Sequence, residues 1–413
     1  MARPWPTVGL DDVAELRALL RRRDAAARQI GLALLRSWTA EDLGAVGARA
    51  VLEAAGGSYP SLPGDHEHPA EMMAHLLWDA PTSVPVTDVV RVYLIAGERV
   101  RRALIHLLAL RCDADGLDGL EFILGPEAPA ELLASPTTPL LEPLTAHPDR
   151  DRVRALLLAA LPRSGWSWHA AAMLLALETT EPSSIENRGR LMVGVGSCVV
   201  SLVEACNRAA LTDPRAGDGA RSEREALSAV LGLLDELREQ DQRDVLAAML
   251  GSSDPRVAAM GAVRLVARAQ PVAPERLSLI ARDPVARADL HDGLRSAHSS
   301  DAFALSGMEV AEGELARWLS AVTELGRVPD EMEHVATVPG GDGADDADAV
   351  MHVFRFRMNA PHWSSARGWM IGAAGGDAYS CYSAQDEASL ADHVAEIRRA
   401  LTDWPDRRTD GAA

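Results

Sequence analysis

Asp65, His66, Glu67, His68, Glu71 and His75 are the densest group of metal-ligating side chains in this sequence. On a helix, His68, Glu71 and His75 would share one face at spacings of three and four, and zinc accepts imidazole and carboxylate together. The spacing is not the His-Glu-x-x-His of metalloproteases. A polar loop entering a helix at Pro69 accounts for the same residues, so no metal or cofactor is assigned. A second constellation is nucleophilic: Cys381 with His362 or His393 as base and Asp386 to orient the imidazole. Cys381 lies within Tyr-Ser-Cys-Tyr-Ser, where a lone thiol reads as a small core residue, and no catalytic residue is assigned. Gly194-Val195-Gly196 lacks the third glycine and distal acid of a dinucleotide fingerprint. The acidic run Asp342 to Asp348 lacks the spacing of a calcium loop. The residues that remain are aromatic. Trp166, Trp168, Trp363 and Trp369 are the candidates for partner contact, because Trp is enriched where binding energy concentrates.

Composition narrows the partners. A net charge of -19 over 413 residues opposes a phosphate backbone, which excludes nucleic acid as the expected partner. Arg21, Arg22, Arg23 and Arg28 read as a solvated helix face rather than a basic groove. All basic residues are Arg and none is Lys, a codon bias of a GC-rich genome. Cys112, Cys198, Cys206 and Cys381 have no Cys-x-x-Cys spacing, which fits reduced thiols in the cytoplasm. Cys198 and Cys206 fall in one helix about 12 Å apart, too far to bridge. The N-terminus has no charged-then-apolar leader. Leu191 to Val203 is too short to span a bilayer and reads as a buried helix, so no membrane is expected.

Hydrophobic residues make up 47% of the chain but aromatics only 4%, so the core is built from Ala, Leu and Val, which suits close-packed helices. Asp24 to Leu35, Glu98 to Leu108, Asp151 to Leu161 and Asp254 to Leu265 share an acidic start followed by apolar residues at helical spacing. Aligned, they place Ala27, Val100, Val153 and Val257 together, then Leu35, Leu108, Leu161 and Leu265 eight residues on. Asp254-Pro255 and Asp283-Pro284 are strong helix starts. Ser222 with Glu225 reads as a capping box, followed by the stripe Leu227, Val230, Leu231, Leu234 and Leu237, with Arg224 facing water.

The segment Asp254-Pro255-Arg256-Val257-Ala258-Ala259-Met260-Gly261-Ala262-Val263-Arg264-Leu265 resembles the second helix of a HEAT or armadillo-type repeat. That resemblance implies a mainly α fold, an irregular HEAT-like α-solenoid over residues 10–329. Pro/Gly-rich joints at Gly56 to Pro69, Gly125 to Pro139 and Asp213 to Gly219 break its regularity.

Beyond Glu331 the character changes. Pro339 to Asp348 reads as a linker, and Val350 to Met358 alternates strictly as a strand, with His352, Phe354, Phe356 and Met358 on one side. Gly368 to Ala373 and Tyr379 to Ser383 read as two more strands, and Asp386 to Leu401 as a closing helix. Seven of the seventeen aromatics fall between Phe354 and Trp404, marking residues 330–405 as a small α+β module, with 406–413 a disordered tail. The stretch from Val353-Phe354-Arg355-Phe356-Arg357 through Pro361-His362-Trp363 to Gly368-Trp369-Met370-Ile371-Gly372 resembles a module appended to helical-repeat proteins of actinobacteria. The module's resemblance implies a source and a domain pairing only; the stacked-helix architecture, with its extended surface, leads to the expectation of a non-catalytic scaffold or adaptor binding another protein, with an immunity or regulatory role as a sub-hypothesis. The alternative is an enzyme: a small hydrolase-like site in the C-terminal module, or a HEAT-like nucleic-acid glycosylase.

Overall fold

The structure is a computed structural model and describes residues 8–63, 67–125, 128–136, 138–163, 165–212, 220–237, 242–323, 325–339, 350–358, 369–375, 379–384 and 390–402. The protein is mainly α-helical, with a small α+β module near the C-terminus. It divides into two compact units, Met1–Cys198 with Ala226–Arg238, and Val199–Glu225 with Glu239–Ala413.

The first unit opens with α1 (Leu10–Arg21), α2 (Ala25–Ser37), α3 (Ala40–Ala55), α4 (Pro69–Leu76) and α5 (Val86–Ile95). It continues with α6 (Glu98–Leu110), α7 (Ala114–Leu124), α8 (Thr138–Leu141), α9 (Arg150–Ala160) and α10 (Ser167–Thr180). Each odd helix packs on the next odd helix from α1 to α9, and each even helix on the next even one from α2 to α10. The result is two layers of stacked helices. Side-chain caps start several of them: Asp24 accepts from Ala26, Asp113 from Gly116 and Asp149 from Arg152. The aligned positions seen in the sequence share one physical role. Ala27, Val100, Val153 and Val257 are all buried, and so are Leu35, Leu108, Leu161 and Leu265. Their helices do not follow a single period, because α2 and α6 belong to the even series and α9 to the odd.

The division between the units falls within two helices, α11 (Ile185–Thr212) and α12 (Arg221–Leu237). At 28 residues α11 is far longer than the apolar core read from the sequence. Within Asn187–Thr212 an 18-residue window has a mean hydropathy of 1.5, so by length and composition the helix could cross a membrane, which removes the argument from shortness. One side of it is packed into protein through Val195, Cys198, Val199, Leu202 and Cys206, while Val193, Val200 and Leu211 are exposed. In α12, Leu227, Val230, Leu231 and Leu234 are fully buried as the stripe requires. The capping box does not form. Ser222 Oγ turns to Glu223 and Glu225 is taken by Arg221, while Arg224 is mostly buried against Asp254 at 3.0 Å rather than facing water.

The second unit continues with α13 (Gln242–Leu250), α14 (Pro255–Ala267), α15 (Pro274–Ile280), α16 (Pro284–Ser296) and α17 (Gly307–Ala321). Both Asp-Pro starts are as read: Asp254 accepts from Arg256 and Val257, and Asp283 from Ala286 at 2.8 Å. Strands β1 (Glu331–Pro339), β2 (Val350–Arg357), β3 (Met370–Gly375) and β4 (Tyr379–Ala384) form an antiparallel sheet in the order β1-β2-β3-β4, followed by α18 (Leu390–Thr402). The alternation of β2 sorts its side chains onto two covered faces. Phe354, Phe356 and Met358 join Leu315, Leu319 and Leu325 in one core, and Met351 and Val353 join Ile371, Ala373 and Ile397 in the other. The first core therefore includes α17, and a boundary at residue 329 falls between a helix and the sheet it packs against. The tail 406–413 lies outside the described residues.

Helix α17 starts in a capping box: Ser306 Oγ accepts from the Glu309 N–H, and the Glu309 carboxylate accepts from the Ser306 N–H at 2.9 Å. The bonds that the Ser306 N–H and hydroxyl donate to this carboxylate hold the Glu309 carboxyl below its ordinary range. Ser306→Ala is expected to cost about 1 kcal/mol, read as a lower denaturant midpoint with unchanged slope. Because the folded-state pKa of Glu309 is depressed, its contribution is present above the unfolded carboxyl pKa and lost as pH falls through the folded one.

Candidate functional site

The tryptophans separate by environment. Trp166 is fully buried in the first unit and its indole N–H donates to the Ala134 carbonyl at 2.9 Å, so it is a core residue and not a partner contact. Trp168, two residues on, is 42% exposed and meets the His169 ring edge-on at 4.8 Å. Burial, followed by the charge of Arg102, lowers the His169 pKa. In the second unit Trp369 is half-buried, with the Arg355 and Arg357 guanidinium groups 4.6 and 5.6 Å from its ring. Arg355 is also held by Glu333 across the strand pair at 2.6 Å, and Arg357 by Glu331. Trp363 lies outside the described residues.

The metal reading disperses. His68 is the residue preceding α4, with extended backbone, and His75 Nε2 is 4.0 Å from Glu71. The His75 ring lies tilted against Trp78 at 4.1 Å, and Trp78 meets His106 edge-on at 4.2 Å. Burial lowers the His75 pKa. Asp65 and His66 lie outside the described residues, and among the described residues no three His, Cys, Asp or Glu side chains converge on a metal position.

Of the nucleophile constellation, His362, Asp386 and the Cys381 side chain lie outside the described residues. The His393 ring is instead 3.2 Å from Ser383 Oγ. Cys198 and Cys206 are buried, and burial pushes both thiols up to about 12, away from thiolate chemistry. Arg28 is buried and donates to the Pro60 carbonyl, so the four-arginine stripe is not continuous on the surface.

The surface feature that sequence reasoning missed lies in the odd-helix layer of the first unit. A depression of about 400 Å³ opens between the C-terminal ends of α5 and α7, lined by Tyr93, Leu94, Phe122, Ile123, Pro129 and Leu132. Phe122 at its rim is 60% exposed and Leu94 in its lining 40%. Its walls are fixed by polar contacts. Tyr93 Oη donates to the Leu132 carbonyl at 2.7 Å, Arg101 donates to the Tyr93 and Glu131 carbonyls at 3.1 Å, and Arg163 donates to Ala128 at 3.3 Å. Glu121 is held by Arg152 at 2.7 Å. Gly125 closes α7, where a Cβ would collide with the Glu121 carbonyl. A larger depression of about 830 Å³ in the same layer has Leu10, Val46, Arg49, Glu53, Asp115 and Asp118 in its lining.

In comparisons with known proteins, no family model, curated protein or solved structure matches this chain.

Proposed function

We propose that this protein is a non-catalytic helical scaffold of the HEAT or armadillo kind, and that the odd-helix layer of its first unit binds another protein. The observation that carries the reading is the apolar groove at the ends of α5 and α7. A single exposed leucine needs no explanation, but Leu94 and Phe122, both exposed in the lining of one apolar depression, form a patch that a lone surface rarely keeps. Fixed walls lower the ordering cost of binding, and an aromatic anchor at the rim suits a hot spot. The acidic balance and the broken arginine stripe favour a protein over nucleic acid.

Replacing Phe122 and Leu94 together by Asp puts charge at an exposed rim and leaves the core intact. Capture from native-host lysate on immobilised wild-type and variant chains, quantified by mass spectrometry, is expected to show one or more partners weakened about thirtyfold or more in the variant. Identical captured sets, with the variant's circular dichroism unchanged, would contradict the reading.

A further inference from the structure

Strand β1 carries an irregularity whose consequence is chemical. Its pairing with β2 runs Glu331↔Arg357 to His334↔Phe354, then resumes at Ala336↔Val353, leaving Val335 as an extra residue. In an unbroken strand His334 and Thr337, three apart, would point to opposite faces. The bulge removes that difference, so that His334, opposite Phe354, and Thr337, opposite His352, share a face.

Three donor atoms meet there. His334 Nε2 and Thr337 Oγ1 are 3.1 Å apart, Thr337 Oγ1 and His352 Nδ1 3.4 Å, and His352 Nδ1 and His334 Nε2 3.5 Å. Ligands about 2.05 Å from a tetrahedral ion stand about 3.3 Å apart. The observed triangle has those dimensions.

We propose that His334 Nε2, His352 Nδ1 and Thr337 Oγ1 form one face of a binding site for a late first-row divalent transition ion, with water at the fourth position. Imidazole nitrogen selects zinc, copper, nickel or cobalt over magnesium and calcium, which demand oxygen cages. The two histidines supply the affinity and the neutral threonine hydroxyl completes the geometry. His334 and Thr337 are exposed, so the ion enters and leaves without opening the sheet core.

The test titrates Zn²⁺ into the metal-stripped, untagged full chain by calorimetry, with Co²⁺ absorption reporting coordination geometry. The wild type is expected to show a saturable site and tetrahedral-type Co²⁺ bands. His334→Gln and His352→Gln should each weaken Zn²⁺ binding about tenfold or more and abolish those bands. Thr337→Val should weaken it less, and His291→Gln, elsewhere in the same unit, should leave it unchanged. Metal-free melting curves within a degree or two of wild type establish that the exposed substitutions leave the fold intact. Saturable binding that survives either histidine substitution, or no saturable binding by the wild type, would overturn the proposal.

Discussion

Trp166→Ala is expected to destabilise the first unit by about 3–5 kcal/mol, the range for emptying a large aromatic site in a packed core. Trp166 is fully enclosed, and its indole also satisfies the Ala134 carbonyl. The loss therefore combines a cavity with an orphaned acceptor. Trp166→Phe fills most of the space but leaves that carbonyl unpaired, and should cost about 1–3 kcal/mol. Urea unfolding followed by circular dichroism separates the two. Equal, small losses for both variants would mean that the site collapses freely and that Trp166 does not organise the core.

A loss of similar size is expected from an ion pair. Arg154 Nε donates to Glu178 at 2.9 Å, and the other Glu178 oxygen accepts the Ser183 N–H at 2.9 Å. Arg154 also donates to the Glu181 carbonyl and to Asp151 at 3.0 Å. Both side chains are nearly excluded from solvent, at 9% and 4%. Glu178→Ala leaves a buried guanidinium without its main counter-charge and should cost about 3–5 kcal/mol. The double replacement Arg154→Met with Glu178→Leu removes both charges and should be less destabilising than Glu178→Ala alone. A double variant as unstable as the sum of the singles would show that the pair acts through its packing and not its charge.

Local chemistry was the legible part of this sequence. Asp254-Pro255 and Asp283-Pro284 start helices because the signals that set them lie within three residues. The alternation of β2 likewise sorted its side chains correctly onto two faces. Distant partners were not legible. Trp166 and Trp168 look equivalent in the sequence, yet two positions near the start of α10 are turned about 200° apart, one into the core and one outward. The Ser222 and Glu225 cap was outcompeted by Arg221 and Glu223, charged neighbours that an isolated motif ignores. Strand β1 was missed because its bulge breaks the alternation by which a strand is read, and the same bulge gathers His334, Thr337 and His352. The groove beside Phe122 depends on α5 and α7 ending side by side, a register set by stacking and not by either helix alone.

The claim that the odd-helix layer is the working surface is tested most directly by a photo-crosslinking residue placed at Phe122 and, in a second chain, at Ile30. Both positions are 60% exposed in the first unit, but Ile30 lies on α2 in the even layer. In native-host lysate the account predicts a discrete crosslinked partner from position 122, absent from position 30 and lost when Leu94→Asp is added. The same products from both positions, or none from position 122, would contradict it.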